Sequence, residues 1–394
     1  MKTLLITILV FVSFGLAHEA HGASLIDYSE DVTISLGANV ISQSTTTANT
    51  YDLTRTTVIF TGTTANTTAN NIDDVAVNTE CMTDPNTLTA TRIGVTGTST
   101  ISATIIQWAS GVTISVQCYT INTFPRGVGY FPVTLSTAVV ASSTIATWTG
   151  VNSTSTVGSA NLDRIQGKCS TGDSTTGYFH KGGDSLRNAT TTCYFTEFAS
   201  GVFDSIQQAE VQVIGNNVLT GTLTIDAVTL NDTSLIFCGF RPNSGSGGAG
   251  YQIKTELTDS TTLTGTRFGI IGTTRVCVNV VDWNSSYLNQ NAQRGEIIMD
   301  AGVSTQLDSV TSVDRTKSLL SLGGWTSTST IHAAWIGLEM LSNDEIHSSR
   351  LSNLVQGTTT WSLIESGSAS VSSNPAKRFI VYGAIKFFAP FIIR

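Results

Sequence analysis

Charged side chains are scarce: Asp, Glu, Lys and Arg make up only 12% of the 394 residues, about half the usual quarter for soluble domains. The 20 Lys and Arg residues are scattered among 28 acids, for a formal net charge of −8. Neutralising nucleic-acid phosphates requires a gathered basic stripe, so nucleic acid is excluded as a partner, and a polybasic membrane patch with it. Proline (6) and methionine (4) are also few. Amphipathic helical periodicity is missing except in the first twenty residues and, weakly, from Trp335 to Leu354. There is no CxxC and no histidine beside a cysteine, so no zinc ligand set can be drawn; no DxDxDG-like run offers a calcium loop, and no cofactor is implied.

Long apolar runs are lacking as well. The first, Leu4 to Ala17, follows Lys2 and precedes the small residues Ala20, Gly22 and Ala23. It reads as a secretory leader spanning 1–22, short of the ~20 residues that cross a bilayer. No cysteine occurs before Cys81, which rules out a lipoprotein anchor. The second run, Phe379 to Ile393, is interrupted by Gly383, Lys386 and Pro390. It is too short for a stable span after leader removal, and reads either as final strands or as a strand offered to another subunit.

What the chain does have is repetition. LTATRIGVTGT at Leu88 returns at Leu263 as LTGTRFGIIGT, each copy followed by a strand ending on tryptophan, Trp108 or Trp283. WASGVTISVQ from Trp108 returns as FASGVFDSIQ from Phe198. With TTTWSLIES ending near Glu365, these echoes divide the mature chain into four units, 23–111, 112–201, 202–290 and 291–394. Within a unit the period is two residues, as in Val276, Val278 and Val280, or Ile101, Ala103 and Ile105. Thr-rich flanks suit the extended chain because β-branching restricts χ1 in a way a pleat accommodates. The fold expected is all-β: about four tandem antiparallel β-sandwich, jelly-roll-like modules, packed end to end or oligomerised because ~85 residues bury a marginal core alone. The glycines between the LTxTR segment and the next strand (Gly94 and Gly97; Gly269 and Gly272) are expected to turn hairpins.

Six cysteines in an exported chain imply disulfides, with fifteen connectivities open. Keeping each pair within a unit or at its edge favours Cys81 with Cys118, Cys169 with Cys193 and Cys238 with Cys277, each stabilising by roughly 3–4 kcal/mol.

GTLTIDAVTLNDTSLIFCGFR, ELTDSTTLTGTR, VNVVDW, QRGEIIM, VDRTKSLLSLGG and WSLIE together resemble a tandem β-sandwich repeat of phage virion and tail-associated proteins and some exported bacterial proteins. The resemblance covers Val218 to Glu365 well and Asp31 to Trp108 moderately, while the second unit departs at Gly177 to Lys181, GYFHK. It implies a structural or adhesive role and carries over no catalytic residue. More distantly, the Trp-ended strand resembles H-type lectin domains, which implies glycan binding.

Two constellations compete with that reading. Gly183-Asp184-Ser185-Leu186 spells the GDSL of an esterase family, and Asp344 to His347 supplies a DxxH. That family places its serine after the first strand of an α/β sheet; here Ser185 lies mid-chain among β segments with no GxND block, so no oxyanion donor is evident. His180, His332 and His347, the histidines after the leader, are not spaced as ligands. Sugar faces stack on aromatics, and among the tryptophans Trp325, following Gly323-Gly324, is the expected exposed platform, with Trp108 and Trp283 in the core. Five N-x-S/T sequons start at Asn66, Asn152, Asn188, Asn231 and Asn284, about as many as chance gives. The function expected is a secreted, non-enzymatic structural or adhesive surface protein, a virion part if viral, self-associating or binding a glycan or cell-surface receptor. A lectin-like array is the alternative and an ester hydrolase the remote one.

Overall fold

The computed structural model describes residues 24–66, 76–94, 96–121, 129–153, 167–181, 189–215, 218–241, 252–268, 272–327, 336–350 and 356–367. The leader, Ser185, His332, Trp335, Gly269 and the apolar run 379–393 lie outside them.

All regular structure among these residues is strand, apart from single 3-10 turns. The chain makes the same six-strand path four times. The first repeat runs through β1 (Ile26–Leu36), β2 (Ser42–Thr46), β3 (Thr56–Asn66), β4 (Asn78–Thr79), β5 (Thr87–Thr91) and β6 (Thr98–Trp108). The second has β7 (Thr113–Ile121), β8 (Tyr130–Thr134), β9 (Thr144–Ser153), β10 (Gly167–Asp173), β11 (Thr176–Lys181) and β12 (Ala189–Phe198). The third has β13 (Phe203–Val213), β14 (Thr220–Thr224), β15 (Thr233–Phe240), β16 (Lys254–Asp259), β17 (Thr262–Thr266) and β18 (Thr274–Trp283). The fourth has β19 (Gln293–Met299), β20 (Thr305–Ser309), β21 (Ser318–Ser327), β22 (Gly337–Ser342), β23 (Glu345–Ser349) and β24 (Gly357–Glu365).

These strands form four antiparallel six-stranded sheets in a four-bladed, propeller-like arrangement, and no sheet belongs to one repeat. Their orders are β1-β6-β3-β22-β23-β20, β2-β5-β4-β9-β12-β7, β13-β18-β15-β10-β11-β8 and β14-β17-β16-β21-β24-β19. Each joins the first, sixth and third strands of one repeat to the fourth, fifth and second of the repeat before it. The fourth repeat hands its strands to the first, which closes the ring. The all-β, four-fold repeated architecture expected from the sequence is therefore present, but its units interlock in a circle instead of stacking in a line. Exchanging half of every repeat with a neighbour gives each small unit the core it could not bury alone.

The halves of each sheet meet at a single residue pair: Gly62 with Gly337, Gly150 with Asn78, Gly239 with Lys168 and Gly324 with Lys254. All four junction glycines on the third strands have positive φ, +140°, +111°, +128° and +117°, and sit beside a bulge. A Cβ at Gly62 would collide with the Ile336 carbonyl and lie 2.6 Å from Gly337 Cα. Only glycine allows the backbones so close.

The sixth strands are buried on both faces. Val276, Val278 and Val280 enter a core continuous through all four repeats, and Val281 and Trp283 enter a second, smaller one. The large core centres on one ring from each repeat: Phe60 lies 5.3 Å from Trp148 and 6.1 Å from both Phe237 and Trp325. The small core gathers Trp108, Phe198 and Trp283, whose centroids lie 4.8 to 6.1 Å apart. In the fourth repeat Ser366 takes the corresponding place. There the N-terminal segment docks: Leu25 N and Ile26 N donate to Ser366 Oγ at 2.7 and 3.0 Å, and both side chains are fully buried. Lys317 Nζ adds bonds to the carbonyls of Ile26 and Asp27 across the same seam.

The three disulfides expected from the sequence form, and no cysteine is free among the described residues. Cys81–Cys118 links repeats one and two, Cys169–Cys193 links two sheets, and Cys238–Cys277 joins neighbouring β15 and β18.

Two local expectations are corrected. The glycine links after LTATR and LTGTR are not hairpin turns: β5 and β17 pair with β2/β4 and β14/β16, whereas β6 and β18 lie in other sheets. Gly97 and Gly272 do take positive φ, but in crossovers. Within the weak helical pattern, Gly337–Ser342 and Glu345–Ser349 are strands, β22 and β23.

Candidate functional site

The recurring polar side chains hold backbone. The arginine of LTxTR is buried in each described copy, Arg92 at 2% and Arg267 at 1% exposure. Arg92 donates to the carbonyls of Gly37, Val40 and Gly97, and Arg267 to those of Gly215, Val218 and Gly272. Arg350 does the same for Val303 and Asp300. Each guanidinium closes the crossover and satisfies carbonyls that no ladder reaches. Burial lowers the pKa of Arg267 and Arg350.

A second set caps the 3-10 turn before each third strand. Gln107, Glu197, Asp282 and Glu365, each one residue before Trp108, Phe198, Trp283 or Ser366, accept from the backbone N–H of Asp52, Val140, Thr229 and Asp314 at 2.6 to 2.9 Å. A third set clamps the loop after the second strand: Gln117, Gln207 and Gln293 each pair with both the N–H and the carbonyl of one residue, Thr137, Asp226 and Thr311. None of these roles was read from the sequence. The arginine sits inside a repeated block and the glutamine recurs at fixed phase, so recurrence was the available signal.

Trp325 is the main correction. It is 1% exposed, with Phe240 at 4.7 Å and Phe237 at 5.7 Å, so it is a core residue and no sugar platform. The bulge at Gly324 turns it inward, toward the face occupied by Phe60, Trp148 and Phe237. Trp108 and Trp283 are buried as expected, their Nε1 groups donating to Thr57 and Ser234.

Of the hydrolase residues, Ser185 lies outside the described residues, and those described are engaged locally. His347 Nδ1 lies 2.9 Å from Glu339 Oε1, and Asp344 accepts from Ser342 in the β22–β23 turn. His180 is packed against Ser170 Oγ at 2.8 Å, and its pKa falls to about 4 through burial, then the nearby Lys168 and Arg241 charges. Asp31, at the seam between repeats one and four, accepts from Thr104 Oγ1 and Met340 N, and burial raises its pKa. Of the sequon asparagines, Asn152 is buried and bonds Thr91 Oγ1. No group of three His, Cys, Asp or Glu side chains among the described residues is arranged to hold a metal, and no described helix is long and apolar enough to cross a membrane.

One cavity stands out against this background. A space of about 770 Å³ opens between the third and fourth repeats, among β16, β19, β20 and β24. Gly295 on β19 faces Trp361 on β24 and makes room for its ring; a Cβ there would lie 2.7 Å from Trp361 Cε2. At this register the other repeats pair Val32 with Ala103, Tyr119 with Cys193 and Ala209 with Val278. Trp361 forms the floor, 5% exposed, its Nε1 fixed at 2.9 Å on Asp308 Oδ2. Arg294 on the rim is committed to the carbonyls of Leu230 and Thr233, and Lys254 pairs with Glu296. Nothing in the sequence singles out Trp361 among the tryptophans, because its place under the cavity depends on the glycine it packs against on another strand.

No protein-family model matches this chain, and no curated protein matches it in sequence.

Proposed function

We propose that this chain is an exported, non-enzymatic structural or adhesive component of a cell surface, or of a virion if its source is viral. The observation that carries the reading is the use of its recurring polar groups: Arg92, Arg267 and Arg350, the Gln107/Glu197/Asp282/Glu365 set and the glutamine clamps all hold backbone. The chemistry that recurs in this protein is architectural. Three disulfides fit an oxidising, extracellular compartment. The resemblance to virion and tail-associated repeats points the same way, and the exposed edges of four open sheets offer surfaces for self-association.

The test is to express the full chain with its leader and recover it from outside the cell. All six cysteines should resist thiol reagents until reduced, and negative-stain microscopy should show ordered assemblies or adherence to a surface. Turnover of p-nitrophenyl esters that disappears in Ser185→Ala would overturn the proposal. A lectin-like role is favoured by one observation, the polar cavity over Trp361.

A further inference from the structure

The geometry points to the cavity over Trp361 as a saccharide-binding site for a neutral or amine-bearing sugar of one or two rings. This deepens the adhesive reading, on which it rests only in placing the ligand outside the cell.

The volume, about 770 Å³, lies within the range of small-molecule sites. Its chemistry is lopsided toward acceptors. Glu256, Glu296 and Asp308 bring three carboxylates to the lining. Glu296 is engaged through Oε2 with Lys254, and Asp308 through Oδ2 with Trp361, leaving one oxygen of each without a donor among the described residues. Glu256 is exposed and has no partner among them. Of the cations, Lys254 pairs with Glu296, whereas Arg294 NH1 donates to two neutral carbonyls and keeps its charge. Thr360 Oγ1 is buried, 5% exposed as a residue, and also lacks a partner. A ligand that matches this lining must be rich in donors and carry no negative charge. Vicinal hydroxyls and a sugar amine meet that condition, because each hydroxyl can donate to a carboxylate while accepting elsewhere. An acidic sugar meets three carboxylates, one of them paired with Lys254, against the single remaining charge of Arg294. Leu257, half-buried, supplies the apolar contact that a pyranose ring covers, while Leu235 and Trp361, 2% and 5% exposed, show only their edges to the cavity.

The probes are glucosamine, galactose, glucuronic acid and tetramethylammonium, titrated into the full-length oxidised protein and followed by saturation-transfer NMR and tryptophan fluorescence. Glucosamine or galactose should bind saturably, in roughly the millimolar range for so few atoms. Glucuronic acid should bind at least about tenfold more weakly. Glu256→Gln, at an exposed position, should weaken glucosamine binding by roughly tenfold and leave the thermal midpoint unchanged. Gly295→Ala, which displaces the Trp361 floor, should abolish the fluorescence change. Saturable binding absent for both sugars, binding unaltered in Glu256→Gln, or tetramethylammonium binding as tightly as glucosamine would each overturn the inference. Ordered assemblies or adherence without sugar binding would refute this site alone; sugar binding by a chain that neither assembles nor adheres would refute the structural reading and leave the site standing.

Discussion

Replacing Gly62 by alanine should break the ring at its seam. The residue has φ +140°, a region L side chains rarely occupy, and holding alanine there costs about 1–3 kcal/mol. The new Cβ would also meet backbone, the Ile336 carbonyl and, at 2.6 Å, Gly337 Cα, and neither can swing away like a side chain. Overpacking of that kind adds about 1–3 kcal/mol. The combined loss of roughly 2–6 kcal/mol is a large share of the 5–15 kcal/mol that usually separates native from unfolded states. Gly111→Ala is the control. Its φ is +82°, but nothing lies within 4 Å of the added Cβ, so it should lose only about 1–2 kcal/mol. The assay is guanidinium unfolding of the oxidised proteins, comparing midpoints and slopes. Equal losses in the two variants would refute the close-approach argument and leave backbone strain alone as the cause. A smaller loss in Gly62→Ala than in Gly111→Ala would refute the junction as a structural element.

Other perturbations separate architecture from binding. Trp325→Ala should lower stability by about 3–5 kcal/mol, as large-to-small changes in a packed core do; calorimetry showing an unchanged midpoint would contradict its burial. His180, whose folded pKa of about 4 lies below its unfolded value near 6.5, contributes stability that is present above pH 6.5 and lost as pH falls through 4. With solvent screening of a half-buried ring, that loss should be on the order of 1–2 kcal/mol and absent in His180→Gln, read from unfolding midpoints between pH 7 and 4. Asp31 acts with the opposite sign. Its raised pKa favours the folded state below the unfolded value near 3.9, and that contribution fades as pH rises through the folded one. Asp31→Asn should therefore flatten the pH dependence above pH 4. Removing Cys81–Cys118 by paired alanines should cost about 3–4 kcal/mol, for a bridge closing 37 residues of separation, and should loosen the contact of repeats one and two in hydrogen exchange before that of repeats three and four.

The sequence alone determined the strand character and the four-fold repetition, because each leaves a local or periodic trace, while among fifteen cysteine connectivities it only favoured the one the structure shows. Alternation such as Val276, Val278 and Val280 reports that a face is buried, and the echo of LTATR in LTGTR reports that a unit recurs. Cysteines kept within or beside one unit pair correctly, since neighbouring strands and adjoining loops bring them near. Partnership between strands leaves no such trace. The same alternation suits β17 turning back on β18 or crossing to another sheet, and the buried Arg267 at the crossover is what distinguishes them. The burial of single aromatics is equally non-local: Trp325 packs inward beside a bulge at Gly324, and Trp361 packs against a glycine on β19, more than sixty residues away in sequence. Repetition is written along the chain. Closure of the ring, and the polar hollow between the third and fourth repeats, arise only when distant strands meet.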